Sequence, residues 1–247
     1  VQQEAAGVFP HGGGIAIAVI KNGDVLLNKG YGLRDRERNL PVTSETVFET
    51  CSLTKGFTSA ALMMALEKKK IDLRQPINAS KNVLTLNDPA ISEKVSIMDI
   101  LSPRTGLPAY DLVWYWGSLN REEFLRTVAN LPLVTAAFRN TFLYSNLLYG
   151  AIGHLFEEIV GESWESSISR KIFKPLRMNS SSFQPSSHET NTAIPYIGTA
   201  PTNRIDTTSI AAAGGIRSSL EDMTRWLAFL LNEGKTLGGE QLLSKSS

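Results

Sequence analysis

Ser52-Leu53-Thr54-Lys55 leads straight into the apolar run Gly56-Phe57-Thr58-Ser59-Ala60-Ala61-Leu62-Met63-Met64-Ala65-Leu66. A hydroxyl and an amine three residues apart therefore fall on one face of a helix's first turn. A serine hydroxyl is a poor nucleophile at neutral pH and attacks a carbonyl only when a neighbour takes its proton. Lysine does this where a partly buried, cation-rich site lowers its pKa. The helix start adds unpaired backbone N–H groups and a positive dipole end, both of which favour the negative charge that builds during acyl transfer. Taken alone, Ser-x-x-Lys also fits an N-capping serine followed by a solvated lysine.

A second group stands downstream. Tyr144-Ser145-Asn146 opens the helical pattern that runs to Val160 and stops at Gly161, which places Tyr144 and Asn146 at a helix entrance. A phenol held near an ammonium can pass a proton to a leaving group, and a carboxamide can hold a substrate amide or the lysine itself. The plain alternative is a core tyrosine and an N-capping asparagine.

The elements needed to position these groups are legible as well. Apolar runs flank Asn22-Gly23, the strongest short hairpin signal, over Gly13–Leu26 and on through Gly30-Tyr31-Gly32. Leu220–Leu231 reads as a helix, Lys68-Lys69-Lys70 closes the helix after Ser52, and Trp114, Tyr115 and Trp116 lie in a loop-like stretch after Pro108.

Ser52-x-x-Lys55 and Tyr144-Ser145-Asn146, in this order, resemble the serine β-lactamase and penicillin-binding protein superfamily, and most closely its class C β-lactamase, esterase and D-aminopeptidase branch. The likeness extends over Thr46-Val47-Phe48, Ile71–Ile77, Ser96–Leu107, Lys174–Met178 and Ala212–Ser219, and so over nearly the whole chain. It implies an α/β (α+β) fold in which an antiparallel sheet flanked by helices carries a mostly helical region. Residues 1–50 would form the N-terminal part of the sheet domain, 51–215 the helical region, and 216–247 a helix and linker returning to the sheet. It also implies that Ser52 forms an acyl-enzyme, that Lys55 and Tyr144 share acid and base duty, that Asn146 positions substrate, and that the Ser52 N–H is half of an oxyanion hole. The expected substrate is a small molecule or peptide with an ester, amide or lactam carbonyl, and a carboxylesterase or peptidase is favoured. An acyltransferase using the same acyl-enzyme and a noncatalytic binding or regulatory relative with an incomplete cleft are the alternatives.

One departure concerns the superfamily's third motif, Lys or His, then Thr or Ser, then Gly, on a later strand. Lys235-Thr236-Leu237 lacks the glycine and follows a helical run, so it reads as a linker. A lone hairpin is marginal and leaves open edges, so the sequence predicts that further strands complete the sheet from a missing C-terminal segment or a second polypeptide.

Composition narrows the classes. With 25 Lys plus Arg against 24 Asp plus Glu, a net charge of +1 offers no electrostatic case for nucleic acid or an anionic membrane. No stretch is apolar enough for long enough to span a bilayer. At 247 residues and 42% hydrophobic, a sizeable core is available. Cys51 is the only cysteine, which excludes an internal disulfide framework, and it reads as a small buried residue rather than a nucleophile. His11, His154 and His188 lack the paired spacing of a metal site, so no metal or cofactor is predicted. His11-Gly12-Gly13-Gly14 has no accompanying G-x-S-x-G elbow, and Gly234-Lys235-Thr236 follows a helix with Phe229 where a phosphate loop needs its first glycine. Asn78-Ala79-Ser80 and Asn179-Ser180-Ser181 match the N-glycosylation pattern, which matters only on a secretory route.

Overall fold

The computed structural model describes residues 13–79, 83–115, 119–183 and 190–246. His11, Gly12, Ser80, Trp116 and His188 lie outside the described residues. The chain forms two compact units. One comprises the described residues within Val1–Thr50, Ser169–Ile205 and Ile216–Ser247, and the other comprises Cys51–Ile168 with Asp206–Gly215. Ser169–Ile205 thus groups with the strands of the first unit.

In the first unit, β1 (Gly14–Lys21) and β2 (Asp24–Asp35) form an antiparallel hairpin whose far edge is extended by β3 (Leu40–Pro41). The register closes at Lys21 opposite Asp24, leaving Asn22 and Gly23 as the two turn residues with φ of 53° and 89°. Two consecutive positive φ angles are the pattern of a type I′ turn, which matches strand twist and which asparagine followed by glycine adopts with the least strain. β4 (Val47–Glu49) pairs antiparallel with a later strand, and β5 (Tyr196–Ile197) pairs with β6 (Ala200–Pro201) in a small hairpin. The partner of β4 is β7 (Arg217–Ser219), which feeds directly into the helix Leu220–Leu231. Ser219 caps that helix by accepting from the Asp222 N–H at 3.2 Å, and the helix packs on β1 and β2. After Gly234, in the left-handed region, Lys235 bridges to Gln241, so Lys235-Thr236-Leu237 lies in a short turn beyond the helix.

The second unit is helical: α1 (Thr54–Lys69), α2 (Pro89–Lys94), α3 (Ile97–Leu101), α4 (Leu112–Tyr115), α5 (Arg121–Asn130), α6 (Asn146–Val160), α7 (Trp164–Ile168) and α8 (Ala211–Gly214). α1 buries Phe57, Ala61, Leu62 and Leu66 against α6, α7 and α8, and each large apolar side chain removed from water contributes about 1.5–3 kcal/mol. α6 and α8 approach closely at Gly153, where a Cβ would come within 2.6 Å of the Ala212 Cβ. Thr58, fully buried, ties three elements together by donating to the Ala212 carbonyl at 2.7 Å and accepting from Trp164 Nε1 at 2.9 Å. α1 ends on Lys70 and α6 on Gly161, both left-handed, and Gly161 takes that conformation without the cost of a Cβ. The stretch after Pro108, expected to be loop-like, instead forms the turn of α4, with the Trp114 and Tyr115 N–H groups bonded back to the Asp111 carbonyl.

A buried carboxylate fixes the segment that leads to Tyr144. Asp99 accepts from Ser96 N and Oγ, from Arg104 Nε at 2.8 Å and from Arg139 Nη2 at 2.8 Å. Burial favours its neutral form, but the Arg139 and Ser96 hydrogen bonds outweigh that and hold its pKa below the ordinary aspartate value. Together with Leu143 N–H on the Pro103 carbonyl and Arg139 N–H on the Arg104 carbonyl, this pins residues 139–143 beside α3. Asn78 is similarly committed inside its own loop, its amide bonding Leu84 and Ser92 carbonyls and the Val83 N–H, so its sequon side chain is already engaged.

Candidate active site

The chain enters the helical unit on a 3-10 turn, Cys51–Leu53, that runs without a break into α1. Cys51 takes a φ of 46°, a costly angle for a residue with a Cβ, and the kink brings Ser52 to the surface at the base of the helix. Ser52 caps nothing: the residue before α1 is Leu53, in helical conformation. Cys51 is exposed, which corrects the expectation of a buried thiol; the turn carries its side chain away from the core that α1 builds from Thr54 onward.

Lys55 is not solvated. It is only 8% exposed, and its Nζ lies 3.2 Å from Ser52 Oγ, 2.7 Å from Asn146 Oδ1 and 2.9 Å from the Ala213 carbonyl oxygen. That carbonyl, at the C-terminal end of α8, has no helical partner ahead of it, so the amine supplies the bond. Tyr144, 40% exposed, donates from Oη to Ser52 Oγ at 2.7 Å, and Lys55 Nζ sits 4.8 Å from the centre of its ring. Asn146 is the first residue of α6, where its side chain turns to Lys55 rather than capping the helix. All four residues picked out by the sequence motifs, Ser52, Lys55, Tyr144 and Asn146, thus meet around one amine within the helical unit.

Burial pushes the Lys55 ammonium below the ordinary lysine pKa, while hydrogen bonding and charge from Tyr144, then the charges of Asp111 and Cys51, oppose that fall. The geometry suits both protonation states. As an ammonium, lysine has three N–H bonds for three acceptors. As a neutral amine it keeps two on the Asn146 and Ala213 oxygens, which can only accept, and its lone pair is left for the Ser52 hydroxyl.

Three participants escaped the motif reading. The Ala213 carbonyl is backbone and has no sequence signal. Tyr149, 6% exposed, faces Lys55 at 5.4 Å from its ring centre and donates to the Leu101 carbonyl; its spacing of three from Asn146 on one helix was the available clue. Asp111 accepts from Asn146 Nδ2 at 3.0 Å and from Trp114 Nε1 at 2.8 Å, which joins the aromatic stretch to the lysine.

The beta-lactamase family model matches residues 6–247, essentially the whole chain. The chain belongs to the beta-lactamase family. Among solved structures of related proteins, an octameric penicillin-binding protein homologue from Pyrococcus abyssi superposes with a TM-score of 0.81 at 29% identity, covering 99% of this chain and 56% of that one. The fold is therefore the mixed α/β, β-lactamase and transpeptidase-like one, with small antiparallel sheets and helices. Curated relatives include Protein flp of Staphylococcus aureus strain N315, 26% identical over 231 residues that cover 89% of this chain and 45% of that protein. Another is unguisins hydrolase ungD of Aspergillus violaceofuscus, 29% identical over 242 residues that cover 89% of this chain and 42% of that protein. The chain spans somewhat less than half the length of these two relatives.

Proposed function

We propose that the protein is a serine hydrolase that forms an acyl-enzyme on Ser52 with an ester, amide or lactam carbonyl, and that its substrates are carboxylesters or peptide-type amides. The observation that carries this reading is the position of Ser52 Oγ between a buried amine at 3.2 Å and a phenol at 2.7 Å. The Ser52 proton passes to the Lys55 lone pair as Oγ bonds to the carbonyl carbon, and the carbonyl π electrons move to its oxygen. The Ser52 N–H is one donor to that oxyanion. On collapse the leaving group departs with the Tyr144 proton, and the phenolate so formed faces the Lys55 ammonium over its ring. Water then attacks the acyl-enzyme by the reverse path and Ser52 recovers its proton. Asn146 holds Lys55 and offers its carboxamide edge to the substrate.

The branch assignment rests on the Ser102–Leu107 loop and the N-terminal hairpin, which resemble the esterase and peptidase members. The name of the Aspergillus relative, a hydrolase, supports water as acceptor over acyl transfer. No described helix is long and apolar enough to cross a membrane. The reading is tested by initial rates on p-nitrophenyl esters, D-aminoacyl anilides and a chromogenic cephalosporin. Turnover of esters or anilides above that of the lactam, abolished by Ser52→Ala, is expected; turnover that survives Ser52→Ala overturns it.

A further inference from the structure

We propose that Asp111 is a positioning residue for the Ser52–Lys55 pair, acting through the side-chain amide of Asn146. The inference rests on the function just proposed only in calling the pair reactive; the placement itself stands on hydrogen bonds. A carboxamide has two nearly equivalent orientations, and its neighbours decide between them. Here the Asp111 carboxylate, which only accepts, faces Asn146 Nδ2 at 3.0 Å, and Asn146 Oδ1 faces Lys55 Nζ at 2.7 Å. The opposite orientation sets oxygen against carboxylate at one end and N–H against the lysine donors at the other. Trp114 Nε1, one turn further along α4, donates to the same Asp111 oxygen at 2.8 Å and holds the carboxylate in place. A chain of bonds from Trp114 through Asp111 and Asn146 therefore fixes one N–H direction of Lys55. The Ala213 carbonyl fixes a second, and the remaining direction points to Ser52 Oγ.

Two substitutions separate the parts of this role. Asp111→Asn keeps an acceptor for Asn146 Nδ2 and Trp114 but deletes the charge, whereas Asp111→Ala deletes both. Asp111 is exposed, so neither change opens a cavity in the core. The readouts are the titration of Lys55 followed by NMR of Cε-labelled lysine, the side-chain amide resonances of Asn146, and the rate of Ser52 acylation by a fluorophosphonate. The groups facing Lys55 are Tyr144, Tyr149, Asp111 and Cys51, and of these only Asp111 changes.

In Asp111→Asn the Lys55 midpoint moves to lower pH, because a negative charge that favoured the ammonium is gone, while the Asn146 amide resonances stay close to the parent. In Asp111→Ala the midpoint again falls, the Asn146 resonances shift or broaden, and acylation drops on the order of 10²-fold, the cost of misplacing a reacting group by about 1 Å. An unchanged Lys55 midpoint together with unchanged Asn146 resonances in Asp111→Ala overturns the proposal. The NMR readouts decide on Asp111 even in a protein whose Ser52 never acylates, an outcome that instead removes the proposed function.

Discussion

Tyr144→Phe deletes one oxygen, which donates to Ser52 Oγ at 2.7 Å and also faces the Lys55 amine. The ring remains, so the Lys55 contact with its face at 4.8 Å is preserved, and so is the tilted contact with the Phe142 ring. With 40% of the residue exposed, the lost hydroxyl leaves no buried group unsatisfied. Stability should therefore change by no more than about 0.5 kcal/mol, as for surface changes remote from packing defects. For a protein of this size that is a Tm shift of at most about 2 °C. Activity should respond very differently. Loss of a positioned general acid or base lowers the rate roughly 10²–10⁴-fold, equivalent to about 3–5 kcal/mol of transition-state stabilisation. Stopped-flow acylation with an activated ester and a thermal melt on the same preparation give both numbers. Acylation at the parent rate would refute the role given to the phenol, and a melt lowered in proportion to the rate would assign the effect to folding instead.

Three further outcomes follow from the same bonds. Lys55→Ala should depress acylation by a similar factor of roughly 10²–10⁴, and a variant acylating at parental speed removes the amine from the proton path. Asp99→Asn places an amide N–H against arginine donors in a fully buried site; since Arg104 and Arg139 are partly exposed and can turn to water, the loss should fall near the low end for a broken buried pair, about 3 kcal/mol by urea unfolding. Burial lowers the His154 pKa; its Nε2 lies 2.9 Å from the Ser209 carbonyl and its ring 4.7 Å from that of Phe124. Because its folded pKa lies below the ordinary imidazole value of 6.5, the unfolded chain binds more protons in that window, and stability falls as pH drops from 6.5 toward the depressed value. His154→Gln should flatten that slope between about pH 7 and pH 5, and an equal slope in both proteins would contradict it.

What the sequence made legible and what it hid divide along physical lines. Periodicity and punctuation located the hairpin turn at Asn22-Gly23, the helix Asn146–Val160 with its stop at Gly161, and the helix Leu220–Leu231, because each is specified by residues adjacent in the chain. Spacing of three placed Ser52 and Lys55 on one face for the same reason. Cys51 went astray because its exposure depends on a backbone kink at φ 46°, and β-lactamase-like apolar patterning around it carries no mark of that angle. The turn of α4 is too short for a periodic signal. The Lys55–Ala213 bond, the Asp111–Asn146 bond and the Asp99–Arg139 pair join residues 35 to 158 positions apart, and such pairings arise only from how the helices pack.

The most direct measurement treats the folded, whole protein with a fluorophosphonate and locates the adduct by fragment-ion mass spectrometry of the peptide spanning Cys51 and Ser52. The account predicts a single phosphonyl group on Ser52, formed roughly 10²–10⁴-fold more slowly in Lys55→Ala. A folded protein without an adduct, or one carrying it on the neighbouring Cys51, contradicts it.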